Sequence, residues 1–218
     1  MKITKQNITE ASWELLQNDG IEKFSMRKLA TRLNIQAASL YWHLKSKQSL
    51  FQTLANEVSK ETLLSVGLEG NWKEQLNDFA IKMRKTFKKY PCSAQLIMKT
   101  LPTEPEYLSL INTLLNIIDQ TNLSDSDKST SIICLINYAI SFEIDKYEQD
   151  KINIIFNNET ETVEELFKLS IEQLLDNNSN NIIQRMYNNE NFEEFGSDKM
   201  LISGLNIFFM GIEQLMAK

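Results

Sequence analysis

Apolar residues recur at intervals of three and four positions along most of this 218-residue chain. This spacing places them on one face of a helix. The clearest run consists of Leu50, Phe51, Leu54, Ala55 and Val58. Glycine and proline, which interrupt helices, number only 6 and 3. Pattern and composition together predict an all-α protein.

Three short helices are predicted before the long run just named. The first spans residues 5–18 and ends at Gly20, which tolerates left-handed backbone. Ser25 offers a hydroxyl N-cap to a second helix of about two turns. Asn34 can adopt positive φ and predicts a tight turn before a third helix over residues 36–44. Two short helices joined by a tight turn form a helix-turn-helix unit.

The remaining helices form a larger second part. A connecting helix is predicted from Lys47 to Leu64, ahead of a break at Gly67–Gly70. Apolar spacing predicts further helices over residues 72–88, 92–99, 105–120, 125–148, 162–175 and 198–216. Asn-rich stretches at 157–162 and 176–191 predict loops, the second of them mobile. We therefore expect one domain over residues 1–47 and another over 48–218, with 48–64 as the connecting helix.

Charge differs sharply between these two parts. The chain has a net charge of −6, but its first 50 residues contain eight basic and four acidic side chains. They therefore have a net charge of +4, which leaves −10 for the rest. Such asymmetry favours a polyanion as the partner of the basic part, although solvated faces that differ by chance would look the same.

The sequence has no sign of a disulfide framework, a membrane span or a secretion signal. Cys92 and Cys134 lack metal-ligand or redox spacing, and Cys134 lies in an apolar run where it is expected to pack as a small hydrophobe. No stretch approaches the roughly 18 apolar residues of a membrane span, and the N-terminus lacks the apolar core of a signal peptide. The sequence predicts a soluble, cytoplasmic protein without a membrane partner.

A more specific pattern lies in residues 24–50, which read FSMRKLATRLNIQAASLYWHLKSKQSL. The ending Leu-Tyr-Trp-His, followed by Lys-Ser-Lys and a long helix, resembles the signature of TetR-family transcriptional regulators. Trp72, Pro102-Thr103-Glu104 and Tyr107 look like the tetracycline-repressor subfamily. One departure is Asn34, where the family often has glycine. The resemblance implies a three-helix helix-turn-helix domain followed by a larger helical ligand-binding and dimerisation domain, without a cofactor.

A recognition helix in the major groove is the functional element that this resemblance implies. The residues predicted to contact double-stranded operator DNA are Arg27, Lys28, Gln36, Ala37, Ser39, Tyr41, Trp42, His43 and Lys47. Gln36, Ala37 and Ser39 would face the bases. Glutamine can pair with adenine, whereas alanine has no side-chain hydrogen bond to offer. The tetracycline repressors have glutamine at position 37, so their operator is not expected here.

Phosphate contacts are assigned to Tyr41, His43 and Lys47, with Arg27 and Lys28 as further candidates. Tyr41 could instead pack beneath the helix. Trp42 is expected to pack against the connecting helix rather than to read a base. His43 is the only histidine, so a multi-histidine metal site is excluded.

Two recognition helices on successive major-groove faces require a homodimer. The family forms its dimer from two long C-terminal helices, for which residues 126–147 and 199–216 are the candidates. Gly204 and Gly211 lie one heptad apart on nearly one helix face. They either let a partner helix approach closely or serve ordinary core packing.

The effector site differs from that of the tetracycline repressors. Alignment by resemblance places their pocket positions on Leu63, Phe79, Met83, Ile97, Thr100, Thr113 and Asp145, and only Thr100 retains the family residue. Ile97 replaces the histidine that ligates magnesium and has no lone pair to offer. The positions therefore predict an apolar cavity with few polar groups, or simply a filled core. Glu143, Asp145 and Glu148 could favour a cationic ligand, or form a solvated turn.

An enzyme is not expected. The chain lacks a glycine-rich phosphate loop and a nucleophile elbow, and one histidine is too few for ordinary acid–base chemistry. The resemblance implies a dimeric repressor that is released from a palindromic operator by a small molecule that moves the connecting helix, and the pocket positions make that molecule largely apolar. A constitutive DNA-binding regulator without an effector is the alternative.

Overall fold

The computed structural model describes residues 3–156, 163–174, 182–189 and 191–217. All regular elements within these ranges are helices, which confirms the predicted fold class. In chain order they are α1 (Lys5–Asp19), α2 (Met26–Arg32), α3 (Ala37–His43), α4 (Lys47–Ser65), α5 (Trp72–Lys89), α6 (Ser93–Met98), α7 (Pro105–Ile118), α8 (Asp125–Phe156), α9 (Val163–Leu174), α10 (Ile182–Asn188), a 3₁₀ turn (Asn191–Glu194) and α11 (Asp198–Met216).

Short polar side chains define where three of these helices begin. Thr4, Ser46 and Asn71 are the N-caps of α1, α4 and α5, and each forms a reciprocal capping box with the residue three positions later. At α4 the Ser49 amide donates to Ser46 Oγ at 3.0 Å, and the Ser46 amide donates to Ser49 Oγ at 3.0 Å. These bonds satisfy backbone donors that a helix start leaves without partners.

The chain divides into two compact units, the first comprising Met1–Ile140 and Phe209–Lys218. Helix α4 is its central element, because α5, α6 and α7 all pack against it. Leu50, Leu54 and Val58 on α4 have no exposed surface. They follow one another at four-residue intervals, so the apolar stripe read from the sequence is the buried face of this helix.

The second unit comprises Ser141–Phe208 and so includes the C-terminal half of α8. We expected α8 to end near residue 148, but it continues to Phe156. No glycine or proline interrupts this extension, and Lys146 and Asp150 form an ion pair of 2.5 Å at the i, i+4 spacing. The helix therefore continues because nothing in residues 149–156 ends it.

The predicted loop over 176–191 is partly wrong. Residues 182–188 form α10, and Asn191–Glu194 form the 3₁₀ turn. Ile182, Ile183, Met186 and Tyr187 recur at helical spacing, and this pattern prevailed over the asparagines around it. Residues 157–162 and 176–181 lie outside the described residues, so the loops expected there stay predictions.

Two smaller expectations have mixed outcomes. Cys92 is buried, but Cys134 is exposed, so its predicted packing as a core hydrophobe is wrong. Pro91, Pro102 and Pro105 lie between helices or at a first helical position, as expected. Among the described residues, no helix has the length and apolarity to cross a membrane.

Candidate nucleic-acid interface

Helices α2 and α3 are joined by the tight turn that the sequence predicts. Ser25 caps α2, with the Lys28 amide donating to Ser25 Oγ at 3.2 Å. Asn34 has a φ of 54°, the left-handed conformation expected for it. The Ile35 amide then donates to the Ala30 carbonyl at 3.0 Å and ties the turn to α2. The helix-turn-helix geometry is thus built from local hydrogen bonds.

Helix α3 has one buried face and one exposed face. Leu40 has no exposed surface and anchors the helix in the core. On the outer side, Tyr41 is 52% exposed and Trp42 is 87% exposed, and His43 is exposed as well. The expectation that Trp42 packs against the connecting helix is therefore wrong. Its exposure leaves the indole available to a partner, in keeping with its place among the predicted DNA contacts.

The predicted base-facing residues lie at the start of α3. Gln36 occupies the N-cap position, yet its side chain makes no capping hydrogen bond. It is exposed, whereas Ala37 and Ser39 are half-buried. An amide that does not cap its own helix is free to form hydrogen bonds with a base edge.

The predicted basic contacts fall into two groups. Arg27 is exposed, but Lys28 forms an ion pair with Asp19 at 2.5 Å. Lys47 donates from Nζ to the Phe24 carbonyl at 2.9 Å and lies 5.1 Å from the centre of the Phe51 ring. Lys47 therefore has a structural partner within the domain, and a phosphate contact would use its remaining N–H donors.

The candidate effector residues lie on α4, α5, α6 and α7 and just after the end of α6, all in the first unit with one exception. Phe79, Met83 and Ile97 are buried, at 0%, 2% and 4% exposure. Leu63, Thr100 and Thr113 are half-buried, and Thr100 donates to the Ile97 carbonyl at 2.9 Å. Asp145 belongs to the second unit and accepts from Gln149 at 3.0 Å.

Two of the three acidic residues on α8 show the features of a solvated turn, whereas Glu143 is half-buried. Asp145 and Glu148 are exposed. Glu148 forms an ion pair with Lys151 at 3.6 Å. Charges this exposed are well hydrated, so the hypothesis of a cationic ligand gains no support from them.

Sequence reasoning missed an amide ladder on α4, formed by Gln48, Gln52 and Asn56. Gln48 donates to the Lys99 carbonyl at 2.8 Å. Gln52 pairs with both backbone groups of Leu101, donating to its carbonyl at 2.7 Å and accepting from its amide at 2.9 Å. The i, i+4, i+8 spacing of three amide side chains was the available signal.

The third member of the ladder, Asn56, contacts the first turn of α7. Asn56 donates to the Glu106 carboxylate at 2.6 Å and accepts from the Glu106 amide at 3.1 Å. The hydrogen bond from Asn56 lowers the pKa of the Glu106 carboxyl. The amide ladder thus joins α4 to residues 99–106.

A second missed cluster, here termed the Trp13 cluster, links α1 to α4 and α5. The Trp13 indole donates to Glu57 at 3.1 Å and lies 4.8 Å, centre to centre, from the Tyr90 ring. Tyr90 donates its hydroxyl proton to Glu61 at 2.6 Å, and Lys89 donates to the same carboxylate at 2.7 Å. Burial raises the pKa of Glu61, but these two hydrogen bonds outweigh it and lower the pKa below its usual value.

An exposed recognition helix on a buried anchor, preceded by a tight turn, defines a helix-turn-helix DNA-binding protein. Comparison with known families makes this more specific. Residues 8–54 match the model of bacterial regulatory proteins of the tetR family, and residues 67–216 match the tetracyclin repressor-like C-terminal domain. The chain belongs to the TetR family of DNA-binding transcriptional regulators. Both matches are to regulatory rather than catalytic families.

Individual relatives agree with this assignment at low identity. The class D tetracycline repressor of Escherichia coli is 27% identical over 149 residues, which cover 67% of this chain and 68% of the relative. A possible TetR-family regulator from Streptomyces coelicolor A3(2) superposes with a TM-score of 0.75 at 15% identity, covering 97% of this chain and 100% of that one. A single-residue variant of TetR from Acinetobacter baumannii AYE, solved in complex with minocycline, has a TM-score of 0.70 at 20% identity, with 100% of both chains covered.

Proposed function

We propose that this protein is a homodimeric repressor that binds a palindromic operator through α3 and is released from it by a small molecule. The observation that carries this proposal is the outer face of α3. Gln36, Tyr41, Trp42 and His43 are all exposed there, while Leu40 is completely buried. The neighbouring side chains of Tyr41 and Trp42 form an exposed apolar patch, and such patches mark interaction sites.

The residues on this face suit both kinds of DNA contact. Gln36 and Ser39 would read base edges, and Ala37 offers only a methyl group for contact with thymine. Tyr41 and His43 would hold phosphates on either side of the groove, with Arg27 and Lys28 reaching the backbone from α2. Since Ala37 replaces glutamine, we expect an operator different from that of the tetracycline repressors.

The homodimer would use the exposed apolar side chains of α8 and α11. Ile133 on α8 is 56% exposed, and Met210 on α11 is 64% exposed. A Cβ built at Gly211 meets no atom of the described residues within 4 Å, so packing among these residues does not require a glycine there. Of the two alternatives for Gly211, close approach of a partner helix is thereby favoured.

The effector would bind among α5, α6 and α7. Phe79, Met83 and Ile97 give this region an apolar lining, to which Thr100 and Thr113 add hydroxyl groups. Because Ile97 cannot ligate a metal, we expect a largely apolar organic molecule rather than magnesium–tetracycline. The minocycline complex of the Acinetobacter relative supports the idea that this fold can hold a small molecule, and it does not bear on which molecule this chain would bind.

The amide ladder supplies a route from this region to the DNA. Residues 99–106 follow α6 directly and are held to α4 by Gln48, Gln52 and Asn56. Only the short segment after His43 separates α3 from the start of α4 at Lys47. A ligand that displaces α6 would therefore move α4 and change the separation of the two recognition helices.

A constitutive DNA-binding regulator remains the second candidate, and one observation favours it. Phe79 has no exposed surface, as expected for a side chain that fills a closed core. Thermal-shift screening of apolar small molecules decides between the two. A compound that stabilises the protein and releases DNA supports the repressor with an effector, whereas stabilising compounds without any effect on DNA support the constitutive regulator.

Selection from random DNA duplexes tests the DNA-binding proposal itself. We expect the purified protein to enrich a sequence with twofold symmetry. Trp42→Ala should weaken binding to that sequence roughly tenfold, the order of magnitude for one stacking or groove contact. The unfolding temperature should stay unchanged, because the indole is 87% exposed. Gln17→Ala, at an exposed site on α1, is the matched control. Enrichment without symmetry, or equal binding by Trp42→Ala, would contradict the proposal.

A further inference from the structure

A cleft of about 200 Å³ lies between the first turn of α1, the turn that joins α3 to α4, and the start of α7. It is separate from the region proposed for the effector, whose residues do not line it. Its apolar lining comes from Ile8 and Leu44, which are 1% and 8% exposed. Thr9, Ser49 and Thr53 line it with hydroxyl groups.

The hydroxyl protons of these three residues are already used within their own helices. Thr9 donates to the Gln6 carbonyl at 3.1 Å, Ser49 to the Ser46 carbonyl at 2.9 Å, and Thr53 to the Ser49 carbonyl at 3.0 Å. The hydroxyl groups therefore offer lone pairs rather than protons to a ligand. Strong donors in the cleft have to come from its basic side chains.

Three basic side chains and one acidic side chain line the same cleft, namely Lys5, Lys45, His43 and Glu104. Lys5, Lys45 and His43 are exposed, and Glu104 is half-buried. Within the described residues, none of these four side chains forms an ion pair or a side-chain hydrogen bond. The two lysines outnumber the single carboxylate, so the lining of the cleft has a net positive formal charge and favours an anion.

We propose that this cleft binds a small organic carboxylate, with its anionic group at Lys5 and Lys45 and its apolar body against Ile8 and Leu44. The volume is below the roughly 300–1000 Å³ of sites for drug-sized ligands, so the ligand is small. His43 ends α3 and is a proposed phosphate contact. Because His43 lines the cleft, an anion bound there would occupy the surroundings of a residue that the DNA backbone is proposed to contact, and anion and DNA would compete. The cleft would then be a second regulatory site, and this part of the proposal rests on the proposed DNA-binding function.

Benzoate serves as the probe, with neutral benzamide as its isosteric control and chloride keeping the ionic strength constant. Methyl NMR of the full chain follows the signals of Ile8 and Leu44. We expect saturable shifts with benzoate and none with benzamide at equal concentration. Lys45→Gln should weaken benzoate binding, and Glu104→Gln should strengthen it, each by roughly two- to fivefold for one charge at the protein surface.

Lys23→Gln is the matched control, because Lys23 is exposed but does not line the cleft. This variant should bind benzoate like the parent, and benzoate should weaken duplex binding by the parent. The proposal is overturned if benzamide binds equally well, or if Lys23→Gln and Lys45→Gln have the same effect. It is also overturned if benzoate leaves the methyl signals of Ile8 and Leu44 unchanged while Lys45→Gln weakens duplex binding. In that case Lys45 contacts the DNA backbone and the cleft binds no carboxylate.

Discussion

Tyr90 shows how one side chain can connect the DNA-binding helices to the rest of the first unit. Its ring contacts Trp13 of α1, and its hydroxyl group donates to Glu61 of α4. Burial and the bond to Glu61 both raise the pKa of Tyr90, which keeps the phenol protonated at neutral pH. The proton that Glu61 accepts is therefore always present under physiological conditions.

Replacing Tyr90 by phenylalanine tests this contact. Tyr90→Phe should lower the free energy of unfolding at pH 7 by about 1 kcal/mol, because it removes one part-buried hydrogen bond. The pKa of Glu61 is lowered from 4.5, so its contribution is complete above that pH and is lost as the pH falls through the lowered value. The difference between parent and variant, measured by urea unfolding, should accordingly narrow as the pH falls below 4.5.

Tyr107→Phe is the matched control for this measurement. Burial raises the pKa of Tyr107, but its hydroxyl group forms no hydrogen bond within the described residues. We expect the difference in unfolding free energy between the parent and Tyr107→Phe to stay the same over this acidic pH range. If the difference in unfolding free energy between the parent and Tyr90→Phe stays constant over that pH range, the hydrogen bond to Glu61 is not what makes Tyr90 stabilising.

Among the helices, α4 is more than a spacer because it carries the amide ladder. One face of α4 is apolar and buried, with Leu50 and Leu54 in the core. Another face presents side-chain amides that replace the backbone partners missing from residues 99–106. The segment between α6 and α7 and the first turn of α7 are thereby fixed to α4 by hydrogen bonds.

Gln52→Ala measures how strongly the ladder holds this segment. The variant removes the side chain that accepts from the Leu101 amide, while the Leu101 carbonyl still accepts from the Thr103 amide at 2.8 Å. Hydrogen exchange of the Leu101 amide should accelerate by roughly tenfold, as expected for the loss of about 1–2 kcal/mol of local stability. Gln17→Ala on α1 should leave this rate unchanged. Equal exchange in Gln52→Ala and the parent would show that the segment is held by other contacts.

For the molecule as a whole, the proposed function depends on association of two chains. Met210 and Ile207 on α11 are 64% and 72% exposed. Met210→Glu places a charge among these apolar side chains, and burying it against a partner would cost several kcal/mol. We expect the variant to be monomeric by analytical ultracentrifugation at concentrations where the parent is dimeric.

Gln17→Glu adds the same charge on α1 and is the control for Met210→Glu. It should leave both the dimer and the unfolding temperature unchanged. Because Met210 is exposed in the single chain, the Met210→Glu monomer should retain its helical circular dichroism. A parent that is itself monomeric would exclude the proposed dimer, and a dimeric Met210→Glu variant would place the interface elsewhere.

Most helix starts, the turn before α3 and the family could be predicted from the amino-acid sequence. Ser25, Asn34 and Ser46 lie where hydrogen bonds join backbone groups a few residues apart, and such contacts need no distant partner. The same local logic explains why the motif in residues 24–50 identified the family. Helix starts and turns can therefore be predicted from the sequence without knowledge of the tertiary structure.

The partners of the side chains on these helices, by contrast, were settled by packing. Lys47 bonds to a carbonyl 23 positions away, and Gln52 bonds to a segment 49 positions away. Apolarity alone predicted a buried Trp42, yet Leu40 fills the core beneath α3 and the indole lies outside. Long-range partners depend on which helix faces pack together. The apolar spacing within one segment shows which face is buried but not which other segment packs against it.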